Sequence, residues 1–202
     1  THLVSSFDVV GDIAIIEVRS ELWKKRKAIA NAVLTSQKHV KVVLAKKSAM
    51  KGEYRVREFS HLAGPKRFTA VYRESGCVMR VNLAKVYFSV RLSTERQRIA
   101  SLVRENENVL VPFAGVGPFA LVIAKHHPTA RVVAVELNPF AFKQLKENVE
   151  LNKLSNVKSI KGDARLVLKK YANWANRVAM PLPHTGENFL DAIIPCVKKD
   201  GV

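Results

Sequence analysis

Two glycines flank one residue in Val109-Leu-Val-Pro-Phe-Ala-Gly-Val-Gly-Pro-Phe119, after a short apolar run and before a helical one. A glycine turn of this kind lets backbone N–H groups come close to a ligand at a helix N-terminus, because no side chain keeps it away. Glu136 closes the next apolar run, where a carboxylate can accept hydrogen bonds from both hydroxyls of a ribose. Asp163, in Lys161-Gly-Asp-Ala-Arg165, follows a third run and is placed to meet an adenine edge. Met180-Pro-Leu-Pro183 ends a fourth run at the same edge. A glycine pair alone is as readily an ordinary tight turn. Ala120 stands where the dinucleotide fingerprint has its third glycine, a replacement the pattern tolerates, so the loop by itself leaves a nicotinamide cofactor open.

These positions need a scaffold that brings strand ends together. Val109–Phe113, Arg131–Leu137, Val157–Lys161 and Arg177–Met180 read as strands, with helices over Phe119–Lys125 and Pro139–Leu151 and Asn138 as a cap. Alternating strands and helices predict an α/β fold, a parallel sheet with helices on both faces. Upstream, Asp12–Val18, Val40–Leu44, Phe68–Glu74 and Cys77–Asn82 read as strands and Ser20–Leu34 as a helix. Ser48–Gly64 is charged and aperiodic and reads as an irregular surface segment. The expected division is a small basic α+β domain over 1–84 and a ligand-binding domain over 85–202. The chain opens at Thr1 without a methionine and stops at Gly201-Val202, where a further strand is due, so it reads as part of something longer.

The charge points to a partner. Lys and Arg number 34 against 17 acidic residues, a formal +17, which suits a polyanion. Positions up to 108 hold 21 of the basic residues against 10 acidic ones, so most of the excess lies in the first half. No apolar stretch approaches membrane-spanning length and no signal peptide is visible, so no membrane partner is expected. Cys77 and Cys196 form no zinc spacing and no disulfide framework, which points to the cytoplasm and to no metal. A monomer is expected.

Phe113-Ala-Gly-Val-Gly-Pro-Phe119, Val135-Glu-Leu-Asn-Pro139, Glu147-Asn-Val-Glu-Leu-Asn152 and Tyr87-Phe-Ser-Val-Arg-Leu-Ser-Thr-Glu-Arg96 occur here in that family's arrangement and together resemble the archaeal and eukaryotic tRNA guanine-37 N1-methyltransferases. The resemblance covers roughly Val40–Val202. It implies a Rossmann-like class I methyltransferase sheet, lacking its last strands here, S-adenosyl-L-methionine as cofactor and tRNA as partner. Contacts to that cofactor are implied for Tyr87, Glu136, Asn138 and Asp163, with Phe113, Gly115 and Gly117 in the loop beside it.

Methylating N1 of guanine requires removing its proton while negative charge grows towards O6, so a carboxylate base and a cation at O6 are needed. The resemblance assigns the base to Glu95 and the O6 contact to an arginine of Gly52-Glu-Tyr-Arg-Val-Arg57, Arg55 in preference to Arg57, which is then an RNA contact. It assigns Arg91 and Arg96 to tRNA phosphates, a role suited to the forked guanidinium. Without the resemblance, Glu95 is simply a favoured residue at a helix start capped by Ser93 or Thr94, and Arg55 and Arg57 are surface charges.

The sequence also departs from the pattern. Many members read Asn-Leu-Pro where this chain has Pro181-Leu-Pro183, so Pro183 matches as a catalytic-site residue while the asparagine that would orient the base is absent. Pro112 replaces the usual residue before Phe113 at a strand end, where proline is tolerated. Two rivals follow. One is a wyosine-pathway enzyme of the same fold, transferring an aminocarboxypropyl arm or methylating C7; Gly117-Pro118-Phe119 and Arg91 favour plain methyl transfer over the former. The other is a noncatalytic RNA-binding module, which would need none of Glu95, Glu136 and Asp163.

Overall fold

The computed structural model describes residues 7–49, 52, 54–182 and 186–202, and its chain divides into two compact units. The first comprises residues 1–73 and 80–90, the second residues 74–79 and 91–202.

In the first unit, β1 (Asp8–Val10), β2 (Ile13–Ile16), β3 (Val42–Lys46) and β4 (Phe59–Ala63) form one sheet in that order. β1 and β2 are antiparallel, β2 and β3 parallel, β3 and β4 antiparallel with an irregularity at Val43/Leu44. The unbroken apolar runs Ile-Ala-Ile-Ile and Val-Val-Leu-Ala fit central strands covered on both faces, and every one of these residues is buried. Helix α1 (Arg26–Ser36) connects the parallel pair and buries Ile29, Ala30 and Val33 against Ala14, Ile16, Val43 and Leu62.

Two expectations change here. Ser48–Gly64 is not wholly irregular, because Phe59–Ala63 is an edge strand with only Leu62 fully inward. Such a strand leaves little apolar alternation to read. The helix expected from Ser20 is a 3-10 turn over Ser20–Lys25 followed by α1, and the Arg26 guanidinium folds back to donate to the Trp23 carbonyl at 2.8 Å.

A hairpin follows, β5 (Thr69–Glu74) and β6 (Cys77–Asn82). The second unit then builds α2 (Ser93–Leu102), β7 (Asn108–Pro112), α3 (Pro118–His126), β8 (Arg131–Glu136), α4 (Pro139–Leu151), β9 (Val157–Lys161), α5 (Ala164–Val167), β10 (Arg177–Val178) and α6 (Leu190–Ile193). Its sheet runs β10-β7-β8-β9, every neighbouring pair parallel. Leu110, Val133 and Val135 join Ala164, Leu168, Ile193 and Cys196 in one core. The alternate residues Val109, Val111, Val132 and Ala134 are equally buried, so the sheet is covered on both faces. Pro112 is the last residue of β7, as its missing N–H requires. The fourth strand is shorter than expected and ends at Val178.

The segment 74–79 belongs to the second unit for a visible reason. Arg96 and Gln97 of α2 bond the side chains of Glu74 and Ser75. Asn152, at the end of α4, accepts from the Val78 N–H at 2.8 Å and donates to its carbonyl at 2.7 Å.

Candidate functional site

Because all four strands of the second sheet are parallel, their carboxyl ends share one edge. The turn 113–117 leaves β7 there, Glu136 ends β8, Asp163 follows β9 and Met180–Leu182 follows β10. This is where open α/β sheets place ligands.

Glu136 organises that edge. Its Oε2 accepts the Gly115 N–H at 2.7 Å and its Oε1 the Asn138 N–H at 2.7 Å. Burial pushes the carboxyl above its ordinary value, opposed by the backbone N–H groups of Asn138, Gly115 and Leu137. A carboxylate oxygen can accept more than one hydrogen bond, so each keeps capacity for a further donor such as a hydroxyl. Asn138 is the cap it was expected to be: its Oδ1 accepts from Phe140 N–H at 2.9 Å and Ala141 N–H at 3.4 Å. Asp163 caps the short α5, accepting from Arg165 N–H at 2.7 Å.

The two glycines differ. Both have positive φ, 58° at Gly115 and 98° at Gly117. A Cβ on Gly117 would lie 2.6 Å from Leu145 Cδ1 and 3.3 Å from Leu121. That glycine is therefore demanded by the packing of α3 on α4, whatever else it does. Phe113, a non-glycine at φ 57°, directs its ring edge-on to Phe189 at 4.6 Å between centroids. The Arg165 guanidinium lies 3.9 Å from the centre of the Phe189 ring. Arg165 and Phe189 were not read as site residues; no periodicity marks them, since their meeting joins α5 to a separate 3-10 turn.

Glu95 sits in the first turn of α2, 43% exposed, in a two-pronged ion pair with Arg98 at 2.7 Å for each contact. The Arg98 hydrogen bonds hold its carboxyl below the ordinary range. Neither Ser93 nor Thr94 caps this helix: the 3-10 turn Val90–Leu92 runs straight into it, Leu92 takes the cap position, and no side chain caps. Arg91 is exposed in that turn. Arg96 requires a correction. It is 1% exposed, with Nε and Nη2 on the Glu74 carboxylate at 2.5 and 2.6 Å. A guanidinium so buried and so committed does not meet a phosphate at the surface.

In the first unit, Arg55 has φ 50° and its guanidinium stands 5.7 Å over the ring of Tyr87. Arg57 lines a cleft of about 460 Å³ with Lys47, Ser48, Phe59 and Phe68. Its Nε is buried and without a hydrogen-bond partner among the described residues. Pro183 lies outside the described residues. Among the described residues no helix is long and apolar enough to cross a membrane, and no cluster of His, Cys, Asp or Glu could hold a metal.

The TRM5/TYW2 methyltransferase domain matches residues 70–202, and the TYW2 N-terminal domain matches residues 1–67. The chain belongs to the TRM5/TYW2 methyltransferase family. It is 44% identical over 200 residues to the tRNA (guanine(37)-N(1))-methyltransferase Trm5b of Pyrococcus abyssi, covering 99% of this chain and 59% of that protein. Among solved structures, a complex of aTrm5 and tRNALeu superposes with TM-score 0.88 at 38% identity, over 98% of this chain and 58% of that one. The TYW2 of M. jannaschii in complex with AdoMet superposes with TM-score 0.71 at 29% identity, over 96% of this chain and 72% of its own. The chain thus spans somewhat under two thirds of the Trm5 proteins it matches.

Proposed function

We propose that this chain carries the catalytic core of a tRNA methyltransferase that modifies N1 of guanosine 37, beside the anticodon. The observation that carries the reading is the Glu136 carboxylate, held at the end of β8 by the Gly115 and Asn138 N–H groups. This half-buried residue and the adjacent left-handed glycine loop fit the ribose of S-adenosyl-L-methionine. That cofactor supplies an electrophilic methyl group when bound. Phe113, Gly115, Gly117, Asn138 and Asp163 border the same edge, and Tyr87 is proposed as a further cofactor contact.

Glu95 takes the N1 proton. The pair with Arg98 keeps it ionised and ready to accept, at some loss of basicity. Arg55, steadied against Tyr87, offsets charge growing on O6. Arg91 and Arg57 hold RNA phosphates, in keeping with the formal +17. The two cysteines, both free and buried, suit a cytoplasmic protein, and we take it to act as a monomer. The domain division proposed is 1–84 and 85–202.

Incubating transcripts bearing guanosine or adenosine at position 37 with labelled cofactor tests the reading. Label confined to the guanosine transcript is expected, and equal labelling of both would overturn it. Nucleoside mass analysis separates an N1-methyl product from C7-methyl and aminocarboxypropyl ones. Glu95→Gln is expected to leave cofactor affinity intact and lower turnover by roughly a hundredfold or more; normal turnover would remove Glu95 from the base role.

A further inference from the structure

Arg96 heads the large side chains that are fully buried, and its partner Glu74 is 6% exposed. Burying two ions costs more than an apolar pair of the same size, so an ion pair at such a position is weak evidence for stability as such. What it supplies is direction. A guanidinium and a carboxylate joined by two parallel bonds fix both distance and orientation.

The objects joined are telling. Arg96 follows Glu95 on α2, and Glu74 stands at the hairpin tip. The next residues repeat the connection, since Gln97 Nε2 donates to Ser75 Oγ at 3.0 Å. On its other side the Arg96 guanidinium lies 6.0 Å from the ring centre of Phe119, in the first turn of the helix that Gly117 opens. One side chain therefore touches the helix that carries Glu95, the hairpin tip and the start of the helix behind the glycine loop.

We infer that the Glu74–Arg96 pair is a positioning device that sets α2, and with it the Glu95 carboxylate, relative to the Gly115–Gly117 loop. The inference rests on the reading of Glu95 as the base. Arg96 acts through Glu95 and touches neither RNA nor cofactor.

The test compares Glu74→Gln, Arg96→Met, Arg96→Lys and the double Glu74→Gln/Arg96→Met in the whole protein, by steady-state kinetics at temperatures where each is folded. Because a small misplacement of a reacting group is costly, Glu74→Gln and Arg96→Met are each expected to lower kcat on the order of tenfold or more. KM for tRNA and the salt dependence of tRNA binding should stay as in the wild type. Arg96→Lys should recover part of the loss, and the double variant should be no slower than the slower single one, because both break one interaction. If Arg96→Met weakened tRNA binding and reduced the salt slope by about one ion while Glu74→Gln was normal, Arg96 would be a phosphate contact and the inference would fall. It would fall equally if the variants only melted earlier, with kcat per folded molecule unchanged. Should Arg96→Met not fold, Glu74→Gln and Arg96→Lys carry the same comparison, since both keep the side-chain volume. An inactive wild type would overturn the reading of Glu95 and this inference with it; an active wild type with variants of normal kcat would overturn the inference alone.

Discussion

Gly117→Ala is expected to damage the protein through packing before it touches any ligand. The residue sits at φ 98°, a left-handed conformation that costs an L residue about 1–2 kcal/mol. Its new methyl would lie 2.6 Å from Leu145 Cδ1, and Leu145 is fully buried, so the clash cannot be relieved by swinging outward. Overpacking of that kind costs about 1–3 kcal/mol. Together the two effects predict a loss of about 2–5 kcal/mol, read as a lower denaturant midpoint with unchanged slope. Leu145→Ala alone leaves a cavity costing about 2–5 kcal/mol. The double variant should then be more stable than the sum of the singles by about 1–3 kcal/mol, because the added methyl occupies part of the cavity. A Gly117→Ala protein as stable as the wild type but unable to bind S-adenosylmethionine would refute this reasoning, since the glycine would then serve the ligand and not Leu145.

Arg98→Ala removes the bonds that hold Glu95 below the ordinary carboxylate value, so the acid limb of the kcat/KM profile should move to higher pH; an unmoved limb would separate Glu95 from the titrating base. Glu136 has the opposite sign. Its folded carboxyl is raised by burial, so its contribution to stability is complete below the unfolded carboxylate range and is lost as pH rises through the folded value. Glu136→Gln should abolish that fall and, because the amide nitrogen that replaces one carboxylate oxygen cannot accept the N–H facing it, cost about 1–3 kcal/mol with weaker cofactor binding, checked by thermal melts across pH and by calorimetry.

Local signals carried far in this sequence. Asn138 before Pro139 announced a cap and a helix start, and α4 begins and ends where the pattern places it. β6 and β9 also keep their expected limits, being short strands bounded by turn residues. The carboxyl edge was legible because strand, glycine turn and acidic residue recur at fixed places in a parallel sheet. Long-range partners were not legible. Arg96 reads as a surface cation until Glu74, 22 residues earlier, is seen beside it. Gly117 reads as a ligand glycine until Leu145 is seen beneath it. β4 was hidden for another reason: an edge strand need bury only one side chain in five, and Phe59–Ala63 buries Leu62.

On the proposed reading, one unit prepares two carboxylates, Glu136 and Glu95, for different tasks. Glu136 is half-buried and has both oxygens on backbone N–H groups, partners that move only if the sheet edge moves, so its position is fixed before any ligand arrives. Glu95 is paired with a side chain, exposed and three residues along its own helix, a partner that can rotate away. A base must exchange its partner for a substrate proton, and such a pair can be opened at little cost. What an exposed pair cannot do is fix where the carboxylate stands. That function needs buried, two-pronged geometry on the same helix, and Arg96, the next residue along, provides it through Glu74.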